Sequence, residues 1–183
     1  MNKMQTQTVK TAKRAAFACI TARSQVYKNY TDVSTDIRDK TYPMLLMMHR
    51  WDGRLGFYGG FIEENESARQ CAIREIEQEA NLFLVEEKLE PLCSHMVYTP
   101  PLGDALAVET FHYDLGNLSL NEMKILMKKM ADAQHSIVEG TPIWVHLSQF
   151  AEGWGFPVTS SSSNLAPSVN ESLKFLTKKL NVS

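Results

Sequence analysis

The feature that most constrains this chain is a pair of glycines, Gly59 and Gly60, directly before a segment of helical periodicity crowded with acid. From about Ser67 to Ala80 the residues Ala72, Ile73, Ile76 and Ala80 share one face, Asn65 is placed to cap the start, and Asn81 to end the helix. Six carboxylates fall between Glu63 and Glu79, against Arg69 and Arg74. Glu75, Gln78 and Glu79 stand at i, i+3 and i+4 and so project from one side of the helix. Hard divalent cations want oxygen donors, and carboxylates on successive turns hold them while phosphate oxygens complete the shell. A Glu-rich helix face alone reads as a solvated charge run. The glycines change that reading, because they permit the close backbone approach that positions substrate and metal together.

The rest of the chain predicts a strand–helix mixture. Residues 1–13 are polar and patternless and read as a loose N-terminal arm; residues 14–183 read as one domain. Strands are expected at Arg14–Ala22, Pro43–His49, Leu55–Phe57, Leu89–Tyr98, Ala105–Leu115 and Thr141–Leu147. Asp52-Gly53 makes a turn, so Pro43–Phe57 reads as a hairpin, and Ser24–Thr41 reads as a polar connection. Ser119 and Glu122 form a capping box ahead of the stripe Met123, Leu126, Met127 and Met130. Ser168 and Glu171 suggest a second box, opening a last helix through about Leu180, and the serine-rich Thr159–Asn164 is a loop. This order is neither a strict βα alternation nor all-β, so an α+β fold is expected, an α/β/α sandwich on a mixed sheet.

Composition narrows the function classes. With 44% hydrophobic and 22% charged residues the chain carries enough apolar material for a packed core. A net charge of −2 and pI near 6.2 give no general basic surface for nucleic acid, so any RNA must be held locally. The lysine pairs Lys128-Lys129 and Lys178-Lys179 read as surface charge. Cys19, Cys71 and Cys93 are odd in number and far apart, which favours reduced thiols and an intracellular compartment, cytoplasmic or nuclear. Lys10, Lys13 and Arg14 ahead of Ala15–Ala22 imitate a secretory signal only loosely, since the run is short and alternates like a strand. No stretch reaches the ~20 apolar residues that span a bilayer, so no membrane partner is expected.

The glycine–acid segment resembles the Nudix signature, G-x5-E-x7-R-E-U-x-E-E-x-G-U with U aliphatic, through Gly60, Glu66, Arg74, Glu75, Ile76, Glu79 and Leu82. Gln78 stands where that family has a metal-binding Glu, and Asn81 where it has Gly. Asn tolerates the left-handed conformation that closes a helix, so the second departure is mild. Upstream, Arg50 to Phe61 resembles the RFDGRLGFPGGF run of the snoRNA-decapping, inosine-diphosphate-cleaving branch, differing at Trp51 and Tyr58. Scattered matches, Ser94-His95, Phe111-His112-Tyr113 and Asn164 among them, extend the similarity over roughly Arg14 to Leu180.

The resemblance implies a Nudix-type sandwich and Mg2+- or Mn2+-dependent hydrolysis of the diphosphate in nucleoside diphosphate derivatives, including inosine and other purine nucleotides and capped RNA. It implies direct attack of water on phosphorus without a covalent intermediate, and a homodimer. Residue by residue, Gly59, Glu75, Gln78 and Glu79 would hold metal, and Arg74 would orient Glu75. The base that activates water is left among Glu79, Glu109 and Glu139. Substrate contacts would come from Arg50, Phe57, Gly59, Gly60, Phe61, His95 and Asn164. That branch has a histidine in the first strand, whereas Ala15 to Cys19 offers none, so its base preference does not carry over. Gln78 keeps an oxygen but loses a charge worth about 4 kcal/mol beside a cation at 4 Å and an effective dielectric of 20, before desolvation is subtracted. A low-activity enzyme, a binding module for RNA, nucleotide or protein that has lost turnover, and an engineered Glu→Gln trap all fit that letter.

Overall fold

The computed structural model describes residues 13–99, 104–132, 140–151, 165–166 and 168–182. In chain order these form β1 (Lys13–Ser24), α1 (Thr35–Arg38), β2 (Tyr42–Arg50), β3 (Leu55–Gly56), β4 (Tyr58–Phe61), α2 (Ala68–Ala80) and a 3-10 turn (Glu86–Lys88). There follow β5 (Glu90–Thr99), β6 (Asp104–Asn117), α3 (Leu120–Ala131), β7 (Gly140–His146), α4 (Leu147–Ala151) and α5 (Val169–Lys179). The strands make one mixed sheet in the order β3-β2-β1-β6-β5, with β4 pairing β1 and β7 pairing β2. β1 and β6 run parallel and the other pairs antiparallel.

β1 is the axis of the molecule, and its composition explains why. Ala16, Ala18 and Ile20 face one side, in a cluster with Ala68, Cys71, Ala72 and Ile76 of α2 and Met130 of α3. Cys19 faces the other, in a cluster with Leu45, Phe57, Leu147 of α4, and Val169 and Leu176 of α5. The expected α/β/α sandwich is therefore present. Alanines on the α2 side remove side-chain bulk, so α2 lies close against β1 and β4. Fully burying Ile76 stabilises this contact by about 1.5–3 kcal/mol.

Several local expectations are corrected. The expected hairpin closes as β2–β3, His49 opposite Leu55, but stops at Gly56; β4 then crosses to pair with β1, Ala18 opposite Tyr58 and Ala16 opposite Gly60. Asn65 does not cap α2: it sits at φ 66°, and Ser67 is the cap, accepting from the Gln70 N–H while Gln70 returns a bond to Ser67 N–H. Asn81 does end α2, in the left-handed conformation at φ 49°. Ser168 and Glu171 form no capping box. Ser168 is helical at φ −80°, ψ −16° with no side-chain cap, its carbonyl accepts from Ser172 Oγ at 3.1 Å, and Glu171 pairs with Lys174 at 2.7 Å. Residues Ser24–Thr41 contain α1, and Lys13, assigned to the arm, begins β1. The rest of the arm and the serine-rich loop lie outside the described residues.

The box at Ser119 and its imitation at Ser168 give a direct test by chemical denaturation. Ser119 caps α3 by accepting from the Glu122 N–H, with Glu122 bonding back. Ser119→Ala should cost about 1 kcal/mol, while Ser168→Ala should cost no more than a few tenths.

Candidate functional site

The glycines are required by the space around them. Gly59 has φ +145°, and a Cβ there would overlap the Ala16 carbonyl oxygen; a Cβ on Gly60 would overlap the Glu75 carboxylate. With no side chain in the way, the Gly59 N–H donates to Glu79 Oε2 at 3.2 Å. The Cys71 thiol donates to the carbonyls of Gly60 (3.5 Å) and Phe61 (3.4 Å), and burial pushes its pKa to about 11, so it keeps the donated proton. Three turns of α2 thus hold the glycine backbone in place.

Arg74 organises the acid. Its Nε donates to Glu66 Oε1 at 2.7 Å and its Nη2 to Glu66 Oε2 at 3.0 Å, a bidentate grip. Nη1 donates to Glu75 Oε1 at 2.8 Å and more loosely to Gln78 Oε1 at 3.4 Å, while Nη2 also reaches the Phe61 carbonyl at 3.2 Å. Hydrogen bonding from Arg74 holds the Glu66 carboxyl down at about 2, and the same bond raises the Arg74 pKa. Glu66 matches the signature, but its structural role as the anchor of Arg74 is not legible from spacing. Glu75, Gln78 and Glu79 do share one side of α2; Glu79 is buried and Gln78 exposed.

On the opposite side of the glycines a cleft of about 290 Å³ is lined by Arg50, Phe57, Gly59, Gly60 and Phe61, five of the expected substrate residues. Phe57 is buried and forms the floor, whereas Phe61 is exposed with Lys13 over its ring. Phe17, Arg54, Ala166 and Ser168 also line the cleft and were not foreseen. Ala166 arrives because its N–H donates to the Leu55 carbonyl at 2.8 Å, a contact over a hundred residues apart that leaves no local signal. At the rim, burial raises the Asp52 pKa but the Arg54 N–H and the Arg50 guanidinium outweigh it, so the carboxyl stays ionised below its usual range. Arg50 is thereby held on the cleft.

The remaining candidates separate. Glu109 lies in register with Ala16, which faces Gly60 in turn, so it is on the α2 side of the sheet two strand spacings, about 10 Å, from Gly60. It is already engaged by Arg14 Nη2 at 2.8 Å. His95 is on the cleft side but does not line the cleft. Its Nε2 is buried without a partner among the described residues, its Nδ1 is 3.9 Å from Cys93 Sγ, and burial lowers its pKa. Glu139 and Asn164 lie outside the described residues.

A hard cation fits the donor chemistry here, since the carboxylates of Glu75 and Glu79, the Gln78 amide oxygen and the glycine carbonyls are all oxygen. No group of three or more acidic, histidine or cysteine ligands occurs among the described residues. No helix among them is long and apolar enough to cross a membrane.

A family model described as NUDIX domain matches residues 31–154. Compared with curated proteins, the sequence finds no match. Among solved structures, a MutT/nudix family protein from Listeria innocua is similar at TM-score 0.59 and 18% identity, covering 92% of this chain and 94% of that one. The NUDIX domain of Shewanella oneidensis NrtR, complexed with ADP ribose, is similar at TM-score 0.60 and 15% identity, over 97% and 94% of the two chains. A C. elegans Ap4A hydrolase is similar at TM-score 0.53 and 17% identity, over 92% and 98%. At these identities the structures speak to fold alone.

Two outcomes follow. Gly60→Ala should lower Mn2+ affinity at least about tenfold by displacing Glu75, yet shift the melting temperature little, because the displaced atoms end a flexible side chain. The stability contributed by Glu66 is complete above its ordinary value of 4.5 and is lost as pH falls from there through about 2. Urea midpoints over that interval should fall with acid in the wild type and flatten in Glu66→Gln.

Proposed function

This chain belongs to the NUDIX domain family, and on that premise we propose that it cleaves the diphosphate of nucleoside diphosphate derivatives, among them inosine and other purine nucleotides and capped RNA. As a Nudix hydrolase it acts on phosphoric anhydrides. The observation that carries the substrate class is the glycine backbone between a cleft holding Arg50 and Phe57 and the Glu75–Glu79 pair behind it. A base and ribose fit the aromatic, cationic cleft while the diphosphate passes the glycines toward the acid. ADP ribose and Ap4A, named with two structural neighbours, each carry adenosine linked through a phosphate chain to a second group, in keeping with this class.

Glu75, Glu79, Gln78 and Gly59 would hold Mg2+ or Mn2+, which when bound supplies charge neutralisation on the diphosphate and lowers the pKa of water. Arg74 fixes Glu75 by a charge-assisted hydrogen bond. Arg50 meets the nucleotide phosphate and Phe57 and Phe61 border the base. Glu79, already oriented by the Gly59 N–H, is the strongest candidate to take the water proton. Glu109 would have to leave Arg14 to do so, and His95 would serve by packing the cleft wall rather than by touching substrate. In this reading residues 14–183 act as one domain and the protein works as a homodimer.

Gln78 supports a second reading, a binding module for RNA, nucleotide or a protein partner with impaired turnover. Its amide gives the site one carboxylate fewer, and it is exposed, bound only loosely by Arg74. A panel of diphosphate-linked nucleotides and capped RNA with Mg2+ and Mn2+, products identified by mass, separates the two. Release of nucleoside monophosphate, accelerated about tenfold or more in Gln78→Glu and abolished in Glu75→Gln, is expected. Ligand-induced thermal stabilisation with no product, in Gln78→Glu as well, would establish the binding module instead.

A further inference from the structure

At the far end of β1 from the glycines, about 20 Å along the strand, lies a larger cavity of about 500 Å³. It sits between the β1–α1 connection, the start of β2 and the N-terminus of α3. Its charged lining is Arg23 and Lys28; no carboxylate lines it, and neither cation makes an ion pair among the described residues. The nearest acid on α3, Glu122, is turned back onto the Ser119 N–H and Oγ, at 2.8 and 2.7 Å.

Two further observations point to a ligand. Ser24 lines the cavity, is 2% exposed, and its Oγ has no hydrogen-bond partner. It follows Ile20 and Ala22 on the side of β1 that faces α2 and α3. An unpaired buried hydroxyl is destabilising, and an incoming acceptor removes that penalty. The α3 capping box satisfies the N–H groups of Ser119 and Glu122, while among the described residues no acceptor meets those of Leu120 and Asn121, which also line the cavity. Free N–H groups at the start of a twelve-residue helix, beside the unpaired Lys28, suit an oxyanion. The Gln25 amide oxygen, its Nε2 being given to the Asp39 carbonyl at 2.9 Å, and the amides of Asn29 and Asn117 supply donors and acceptors for the rest of a polar molecule, and the volume exceeds what a bare phosphate needs.

We propose that this cavity is a second binding site, separate from the hydrolytic one, for a ribose phosphate or a similarly phosphorylated small polar molecule. The phosphate sits on Lys28 and the Leu120 and Asn121 N–H groups, and the Ser24 hydroxyl and the amides take the sugar hydroxyls. The site does not depend on the reading given for the glycine cleft.

Titration of the 15N-labelled protein with ribose 5-phosphate, beside inorganic phosphate, tests it. Ribose 5-phosphate should saturate with a dissociation constant of about 1 mM or tighter, shifting the Leu120 and Asn121 amides, with inorganic phosphate moving the same amides several-fold more weakly. Lys28→Gln, at an exposed position, should weaken ribose 5-phosphate about tenfold. Leu120→Pro, which removes one N–H where a helix tolerates proline, should also weaken it, with the remaining spectrum showing the fold intact. Glu75→Gln should leave it unchanged. Absence of saturation, equal affinity for the two probes, or shifts at Gly59 and Gly60 that vanish in Glu75→Gln would each overturn the proposal.

Discussion

The structure depends on the absence of two side chains. Because nothing projects from Gly59 and Gly60, β4 lies flat against β1 on one edge while α2 presses its acid onto the same backbone. Any Cβ at Gly59 meets a carbonyl oxygen of β1, and any Cβ at Gly60 meets Glu75. The site is therefore a packing arrangement first and a constellation of acids second. Arg74 extends the same logic: its guanidinium joins Glu66, Glu75 and the Phe61 carbonyl, so the strand end, the loop and the helix are fixed relative to one another by one half-buried cation.

The alanines of β1 are the second half of that constraint. Ala16 and Ala18 leave room for Ala68, Cys71 and Ala72, which brings α2 near enough for Glu79 to reach the Gly59 N–H and for Cys71 to reach the Gly60 carbonyl. Larger residues at those positions would lift α2 off the sheet and separate the carboxylates from the cleft. Opposite, the Phe57 and Cys19 side is filled by α4 and α5, so the cleft floor is as rigid as the core beneath it.

Much of this was legible because it is local. The i, i+3, i+4 acid, the left-handed Asn81 and the Ser119 box follow from short-range spacing, and the five cleft residues from Arg50 to Phe61 from the resemblance carried by that run. What escaped is long-range. Nothing around Leu55 indicates that Ala166 will bond to it, and nothing around Glu109 indicates Arg14 across the parallel β1–β6 pair. The Ser168–Glu171 spacing imitates a capping box, yet the Ser168 backbone is already helical, which swings its hydroxyl away from the N–H groups ahead. Asn65 lost the capping role because the left-handed turn there carries the chain from β4 into α2, leaving Ser67 extended and correctly placed. Gln78 was legible as a departure in charge; its exposure beside Arg74 required the fold.

The central claim is that the acid of α2, pressed against the glycine turn, forms a cation site. Anomalous diffraction from crystals soaked in Mn2+ with a non-hydrolysable nucleoside diphosphate addresses it most directly. The account requires an anomalous peak within coordinating distance of Glu75 and Glu79, with phosphate oxygens completing the shell. Nucleotide density in the cleft with no such peak beside these carboxylates would contradict it.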